Sequence, residues 1–265
     1  MRPSNSRAVF MKIAIVTGAS SGLGREFVRR LCAAEKPDEI WAVARRENRL
    51  RQLAERFPGR ICPLPLDLTD PQSLRTLENR LKEKNPEVRF LVNAAGFGKM
   101  GKYADIPLCD CRAMIELNCQ ALVAVTQTVL PYMGRGSQIL QISSSSAFQP
   151  LPGLNVYAAT KAFVLSYSRA LRWELFGRGI HVTAVCPYWI KDTEFIPKAG
   201  STGSGAVRHF PLASRARSVA RIALGCCRLN LPVSTPGIIC TVQRIATKII
   251  PRELITAAWE ALRRL

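Results

Sequence analysis

Acidic side chains are scarce in this chain: 19 Asp and Glu stand against 38 Lys and Arg, leaving a formal net charge of +19. Histidine is scarcer, with His181 and His209 alone. With so few imidazoles, and with Cys109/Cys111 and Cys226/Cys227 too tightly spaced for a zinc knuckle, no metal site is expected. Nine cysteines, an odd number scattered through apparent helices and strands, point to reduced thiols in a cytoplasmic setting rather than a disulfide framework. No uninterrupted apolar run reaches the roughly 18 to 20 residues of a membrane span. Residues 1–10 lack the apolar stretch of a signal peptide and are expected to form a loose tail. Aromatic residues make up 7% and seldom alternate with the basic ones. No zinc finger or RNA-binding signature accompanies them, so the charge does not predict a specific nucleic-acid partner. It does favour polyanionic neighbours: anionic lipid, or a ligand that carries phosphates.

What is present is a regular alternation of β-branched runs with amphipathic stretches. Lys12 to Thr17 predicts a strand that leads into Gly18-Ala19-Ser20-Ser21-Gly22-Leu23-Gly24 and then a helix. Strand, glycine turn and helix together suit a pyrophosphate. Glycines admit close backbone approach, and the helix N-terminus offers free N–H groups. Further strands are predicted at 39–44, 61–66, 89–92, 138–142 and 180–186, with helices at 71–84, 112–133 and 155–176 between them. The expected fold is α/β: a doubly wound, Rossmann-like parallel sheet of about seven strands with helices on both faces, one domain over 11–265. The same glycine stretch also satisfies G-x-S-x-G, a hydrolase elbow with Ser20 as nucleophile and His181 or His209 as its partner.

The second strand ends in Arg45-Arg46 where an NAD-binding unit usually carries an acid. Arg45 therefore favours NADP(H) over NAD(H). Tyr157 and Lys161, four residues apart, share one face of a predicted helix. An ammonium beside the phenol is expected to lower its pKa and make it usable in proton transfer. A hydroxyl from Ser143 to Ser146 is placed to hold a substrate oxygen next to it.

Taken in order, T-G-x-x-x-G-x-G at 17–24, N-A-A-G at 93–96, Asn118, and Y-x-x-x-K at 157 and 161 resemble the short-chain dehydrogenase/reductase family. The resemblance runs from Met11 to about Gly237, and Ser144 stands thirteen residues before Tyr157, the family's spacing for its serine. It implies that Tyr157 is the acid-base residue and that Lys161 lowers its pKa and binds the nicotinamide ribose. Ser144 would bind the carbonyl oxygen, and Asn118 would hold a water beside Lys161. It places Gly18, Ser20, Ser21, Gly22, Leu23, Gly24, Arg45, Asp67, Leu68, Asn93, Gly96, Pro187 and Thr193 at the cofactor, together with Tyr157 and Lys161. It further implies a homodimer or tetramer joined through the helices of Asn118 and Tyr157.

Two departures stand out. Ala94 replaces a second asparagine, which is expected to weaken a hydrogen bond that supports the sheet. Pro187 is followed by Tyr188-Trp189 rather than glycine, which narrows the pocket and leaves the register of Thr193 open by a residue. A softer resemblance to 3-oxoacyl-CoA reductases and 17β-hydroxysteroid dehydrogenases implies an apolar carbonyl substrate. Residues 191–215, rich in glycine and serine at 199–205, are expected to form a substrate lid. From Lys191 onward twelve basic residues face four acidic ones, a net of +8. The helical region 238–265 is accordingly either a helix with a solvated basic face or a surface for anionic lipid or an acyl carrier. Two other classes remain beside the reductase: a silent dinucleotide-binding regulator, and a membrane-associating basic protein on a Rossmann scaffold.

Overall fold

The computed structural model describes residues 10–200 and 212–262. Seven parallel strands form one sheet: β1 (Lys12–Thr17), β2 (Glu39–Val43), β3 (Ile61–Leu64), β4 (Glu87–Asn93), β5 (Gln138–Ile142), β6 (His181–Val185) and β7 (Val233–Ser234), in the spatial order β3-β2-β1-β4-β5-β6-β7. The helices between them are α1 (Gly22–Arg30), α2 (Glu47–Glu55), α3 (Pro71–Lys84), α4 (Leu108–Ile115), α5 (Leu122–Val129), α6 (Asn155–Glu174), α7 (Phe195–Ala199) and α8 (Ala216–Arg228). Two more, α9 (Ile238–Ile249) and α10 (Arg252–Leu262), follow the last strand.

Parallel strands are covered on both sides, so they carry apolar residues on both faces rather than alternating. β1 illustrates this, since every residue from Ile13 to Thr17 is buried. One core packs α1, α2 and α8 on the sheet through Phe27, Val28, Leu50 and Val219. The other packs α3, α5 and α6 on the opposite face through Leu77, Leu81, Val125 and Leu171. Strand order reverses beside β1, where the chain leaves for β2 on one side and β4 pairs on the other. A crevice opens there beyond the carboxyl ends of the strands, the usual ligand position in such sheets.

The single helix expected over 112–133 is interrupted. A π-helical turn at Glu116–Ala121 separates α4 from α5, and it carries Asn118. An extra residue per turn shifts the hydrogen-bond ladder locally, a device that recurs at functional sites. The composite helix, Leu108–Tyr132, is long and apolar enough to cross a membrane by composition. It nonetheless lies along the sheet, with Asn118, Leu122, Val125 and Val129 buried. The last strand is only Val233–Ser234, because Pro232 and Pro236 on either side cannot donate to a ladder. Residues 1–9, and with them most of the expected tail, lie outside the described residues, as do 201–211 of the expected lid.

Candidate active site

The crevice is a continuous cleft of about 1270 Å³ that runs from the glycine turn to the C-terminal helices. At its floor Gly18 has φ +66°, and a Cβ there would lie 2.7 Å from the Ala94 carbonyl oxygen. Gly24 is tighter still, since a Cβ would meet the Gly18 carbonyl oxygen at 2.3 Å. These two residues must be glycine for α1 to start where it does. The first N–H groups of α1 then face the cleft beside Ser20, Ser21, Gly22 and Leu23, all of which line it. Leu66, Asp67 and Leu68 form the neighbouring wall. Asp67 accepts from the Thr69 hydroxyl at 2.8 Å and backbone N–H at 3.1 Å. Partial burial raises its pKa, but those bonds and the nearby Arg45 outweigh it and hold the carboxylate below its ordinary value.

Both arginines after β2 line the cleft, but they divide differently from expectation. The Arg45 side chain is 71% exposed and leans on Asp67, 3.6 Å away. Arg46 folds over the glycine turn, donating to Ser21 Oγ at 2.6 Å and Ser20 Oγ at 3.1 Å from Nη2. Arg46 is thus the better placed of the two for an anion at the turn. The sequence pair was visible; which guanidinium points inward was not.

Asn93 corrects the sequence reading. Its side chain is not in the cleft but beneath the sheet, where Nδ2 donates to Gln141 Oε1 at 2.9 Å and Thr126 Oγ1 at 3.0 Å. Asn93 ends a strand on the residue parity that faces α5. The lost second asparagine at Ala94 therefore does not leave the sheet unsupported, because Asn93, Thr126 and Gln141 link β4, β5 and α5. Gly96 does line the cleft, and a Cβ there would be 2.8 Å from Asn118 Oδ1 and 3.4 Å from Lys161 Nζ.

Asn118 sits in the π-helical turn behind the loop that follows β4. Its side chain is fully buried, with Oδ1 accepting from Phe97 N at 3.1 Å. Nδ2 donates to Phe97 O at 2.9 Å and Thr160 Oγ1 at 3.1 Å. Thr160 in turn donates to the Tyr157 carbonyl at 2.7 Å. The side chain ties the β4 loop to the turn of α6 that carries Tyr157.

Ser144, Tyr157 and Lys161 converge as the spacing predicted. Ser144 caps a short 3₁₀ turn and accepts from Ser146 N at 3.1 Å, and it lines the cleft together with Tyr157. The other serines of the run are held differently: Ser143 donates to the Lys161 carbonyl at 2.7 Å, and Ser145 N to Pro187 O at 2.9 Å. Lys161 Nζ donates to Ile142 O at 2.9 Å and sits 5.7 Å from the Tyr157 ring centroid.

The expected lowering of the phenol pKa by Lys161 is not what this geometry gives. Burial pushes Tyr157 well above its ordinary value, and the Ser144 hydroxyl only partly opposes it. Burial likewise pushes Lys161 down from 10.5 to about 8. Desolvation dominates because both groups are almost closed off from water, at 7% and 5% exposure.

Thr193 stands against the glycine turn, 3.4 Å from where a Gly22 Cβ would be. Phe195 follows and packs on Tyr157 with ring centroids 5.3 Å apart. Gly98, unmarked by any motif, is required by this packing, because a Cβ would lie 2.7 Å from Tyr157 Cδ2. Pro187, Tyr188 and Trp189 line the far wall with Leu151, Leu154, Ile238, Val242 and Trp259. Trp259 reaches back from α10 to donate to Pro152 O at 3.1 Å. The C-terminal helices are therefore part of the pocket, which no sequence motif indicated.

The hydrolase alternative fails. Ser20 lies past the carboxyl end of β1, whereas His181 begins β6 at the opposite, amino end of the strands and contacts Cys227 O at 3.3 Å. His209 lies outside the described residues. Among the described residues no three His, Cys, Asp or Glu side chains gather as a metal site.

A glycine turn, a cationic rim and a Ser-Tyr-Lys group in one cleft, its tyrosine and lysine buried, define a dinucleotide-dependent oxidoreductase. Residues 12–202 match the family model described as short chain dehydrogenase, and the chain belongs to that family. It is 38% identical over 192 residues to sulfoacetaldehyde reductase 2 of Chromohalobacter salexigens, covering 69% of this chain and 74% of that one. It is 33% identical over 193 residues to the 3-oxoacyl-[acyl-carrier-protein] reductase of Thermotoga maritima, covering 71% and 78%. A short-chain dehydrogenase from Sphingobium yanoikuyae solved with NADPH superposes with a TM-score of 0.77 at 29% identity, covering 92% of this chain and 95% of that one. The enzyme uses a nicotinamide cofactor, and the free α1 terminus, Gly18 and Gly96 form a cradle that suits one.

Proposed function

We propose that this enzyme is a cytoplasmic, NADP(H)-dependent carbonyl reductase acting on an apolar ketone or 3-oxoacyl substrate. The observation that carries this reading is the meeting of Ser144, Tyr157 and Lys161 in the wall of one cleft, toward its apolar end, the other end being cationic. The nicotinamide supplies the hydride. Ser144 binds the carbonyl oxygen, and Tyr157 donates the proton that the developing alkoxide requires. Burial raises the phenol's pKa, so it stays protonated but is a weak acid, and the more basic developing alkoxide is what draws its proton. Lys161 binds the ribose and stabilises the phenolate after transfer. Asn118 and Thr160 position the helix turn that carries Tyr157. Gly18, Ser20, Ser21, Gly22, Leu23 and Gly24 receive the pyrophosphate, Asp67 and Leu68 flank the adenine, and Gly96, Pro187 and Thr193 border the nicotinamide. Arg45 and Arg46 favour a 2′-phosphate. The NADPH bound to the Sphingobium yanoikuyae relative supports the same choice.

Two surfaces extend the reading to partners. Leu108, Ile115, Phe163 and Trp173 are exposed on α4 and α6, which supports a homo-oligomer joined through those helices. On α9 the usual polarity is inverted. Ile238, Val242, Ile245 and Ile249 fall within one narrow stripe at 3.6 residues per turn and all face outward, Ile238 at 84% exposure. Gln243 and Arg244 lie on the half-buried side, while Lys248 flanks the stripe. An apolar stripe edged by a cation suits peripheral contact with anionic lipid. Because Ile238 and Val242 also border the cleft, such contact would face its mouth to the source of an apolar substrate.

The test of the reductase is turnover of a carbonyl panel with NADPH, spanning 3-oxoacyl thioesters, steroids and small diketones. Tyr157→Phe keeps the ring but loses the donor, so turnover should fall by about 10² to 10⁴ while NADPH binding persists. Near-normal turnover in that variant would show that the proton comes from elsewhere.

A further inference from the structure

Arg46, the guanidinium folded over the glycine turn, is already paired with an anion of the chain itself. Its Nη1 donates to Glu194 Oε2 at 2.9 Å, across 148 residues of sequence. Glu194 also takes Lys198 Nζ on Oε2 at 2.6 Å, and it pairs with Arg49 through Oε1. One carboxylate thus draws together three cations at the rim of the cleft. Bonds from Lys198, Arg46 and Arg49 hold it ionised far below the usual carboxylate range. Glu194 stands between Thr193, which abuts Gly22, and Phe195, which packs on Tyr157. The segment that closes on the reacting phenol is therefore fastened to the cationic rim by a single side chain.

A 2′-phosphate and this carboxylate want the same donors. Both are anions that guanidinium groups bind with charge-assisted bonds, and Nη1 of Arg46 cannot serve both at full strength. A phosphate beside Ser20 and Ser21 would also bring like charges close together. We propose that Glu194 is an internal counter-anion that a 2′-phosphate must displace from Arg46, and that it thereby sets the affinity for the phosphorylated dinucleotide. This inference rests on the NADP(H) reading above.

The experiment is fluorescence titration of NADPH and NADH into the parent, Glu194→Gln, Arg46→Ala and the double variant. Glutamine keeps the shape and removes the charge. The expected result is NADPH binding about threefold to tenfold tighter in Glu194→Gln, a gain sized for a partly exposed ion pair, with NADH affinity unchanged. In the Arg46→Ala background the gain should vanish, since the two residues act on one contact. The probe 2′,5′-ADP should show the same gain, because it carries the phosphate without the nicotinamide. Weaker NADPH binding in Glu194→Gln would show that the carboxylate organises the arginines, and would overturn the proposal. Equal gains for NADPH and NADH would overturn it too, as would an unchanged ratio in a protein that prefers NADPH. A parent with no preference between the cofactors would remove the NADP(H) reading itself, and the proposal with it.

Discussion

Lys161→Met should make the protein more stable near neutral pH while it abolishes catalysis. The Lys161 ammonium is buried, and its pKa falls from 10.5 to about 8 because the charged form has lost its hydration. That difference corresponds to about 3 kcal/mol of destabilisation carried by the folded state when the group is charged. Below pH 8 both folded and unfolded chains hold the proton, so the full cost is present. Between pH 8 and 10.5 the unfolded chain holds more protons than the folded one, and stability therefore rises with pH. Above 10.5 the cost is gone.

Methionine fills similar space without charge, but leaves the Ile142 carbonyl without its 2.9 Å donor. A lost buried partner costs about 1 to 3 kcal/mol, so a net gain of about 1 kcal/mol is expected at pH 7. For a chain of this size that raises the unfolding midpoint by roughly 2 to 4 °C. By pH 9.5 about 2 kcal/mol of the parent's deficit should have been recovered, and the order of stability should invert. Urea denaturation of both proteins at pH 7, 8.5 and 9.5, without cofactor, reads this directly. A variant less stable than the parent at pH 7, by a margin that does not change with pH, would refute the claim that desolvation dominates at Lys161.

Exchange of charge at the end of β2 should separate the two arginines: Arg46→Ala is expected to weaken NADPH binding about tenfold or more, and Arg45→Asp to do so less, as titration of both nucleotides would reveal. Equal losses would mean that Arg45 leaves Asp67 to join the phosphate. Ile245→Glu with Ile249→Glu should abolish sedimentation with anionic vesicles and spare turnover of a water-soluble ketone, because neither residue borders the cleft. Binding by the parent should fade as salt rises toward 0.5 M; a parent that never sediments returns α9 to a solvated face or an interface between copies. Gly24→Ala should lose nucleotide binding and at least 2 kcal/mol of stability, since the added Cβ meets backbone at 2.3 Å and nothing there can yield. Thermal unfolding close to that of the parent would contradict the packing of α1 on the turn.

The alternation of strand and helix, the glycine turn and the Tyr157–Lys161 spacing were legible in sequence because each is local. A period of 3.6 residues puts positions four apart on one face wherever the helix lies, and a β-branched run ahead of glycines predicts a strand and a turn from its own residues. Ser144 was legible for a related reason, since a fixed thirteen-residue interval carries the family's β5-to-α6 connection. What remained hidden depends on contacts across the chain. Asn93 turned out to support the sheet because its partners, Thr126 and Gln141, lie 33 and 48 residues away. The inward arginine proved to be Arg46 because Glu194, 148 residues later, holds it there. Trp259 and Ile238 became pocket walls only when the C-terminal helices folded back beside Pro152. The phenol and ammonium pKa values moved opposite to the pairwise expectation at Tyr157, because sequence spacing sets which charges are neighbours, whereas burial, a property of the whole fold, sets how much water each one loses.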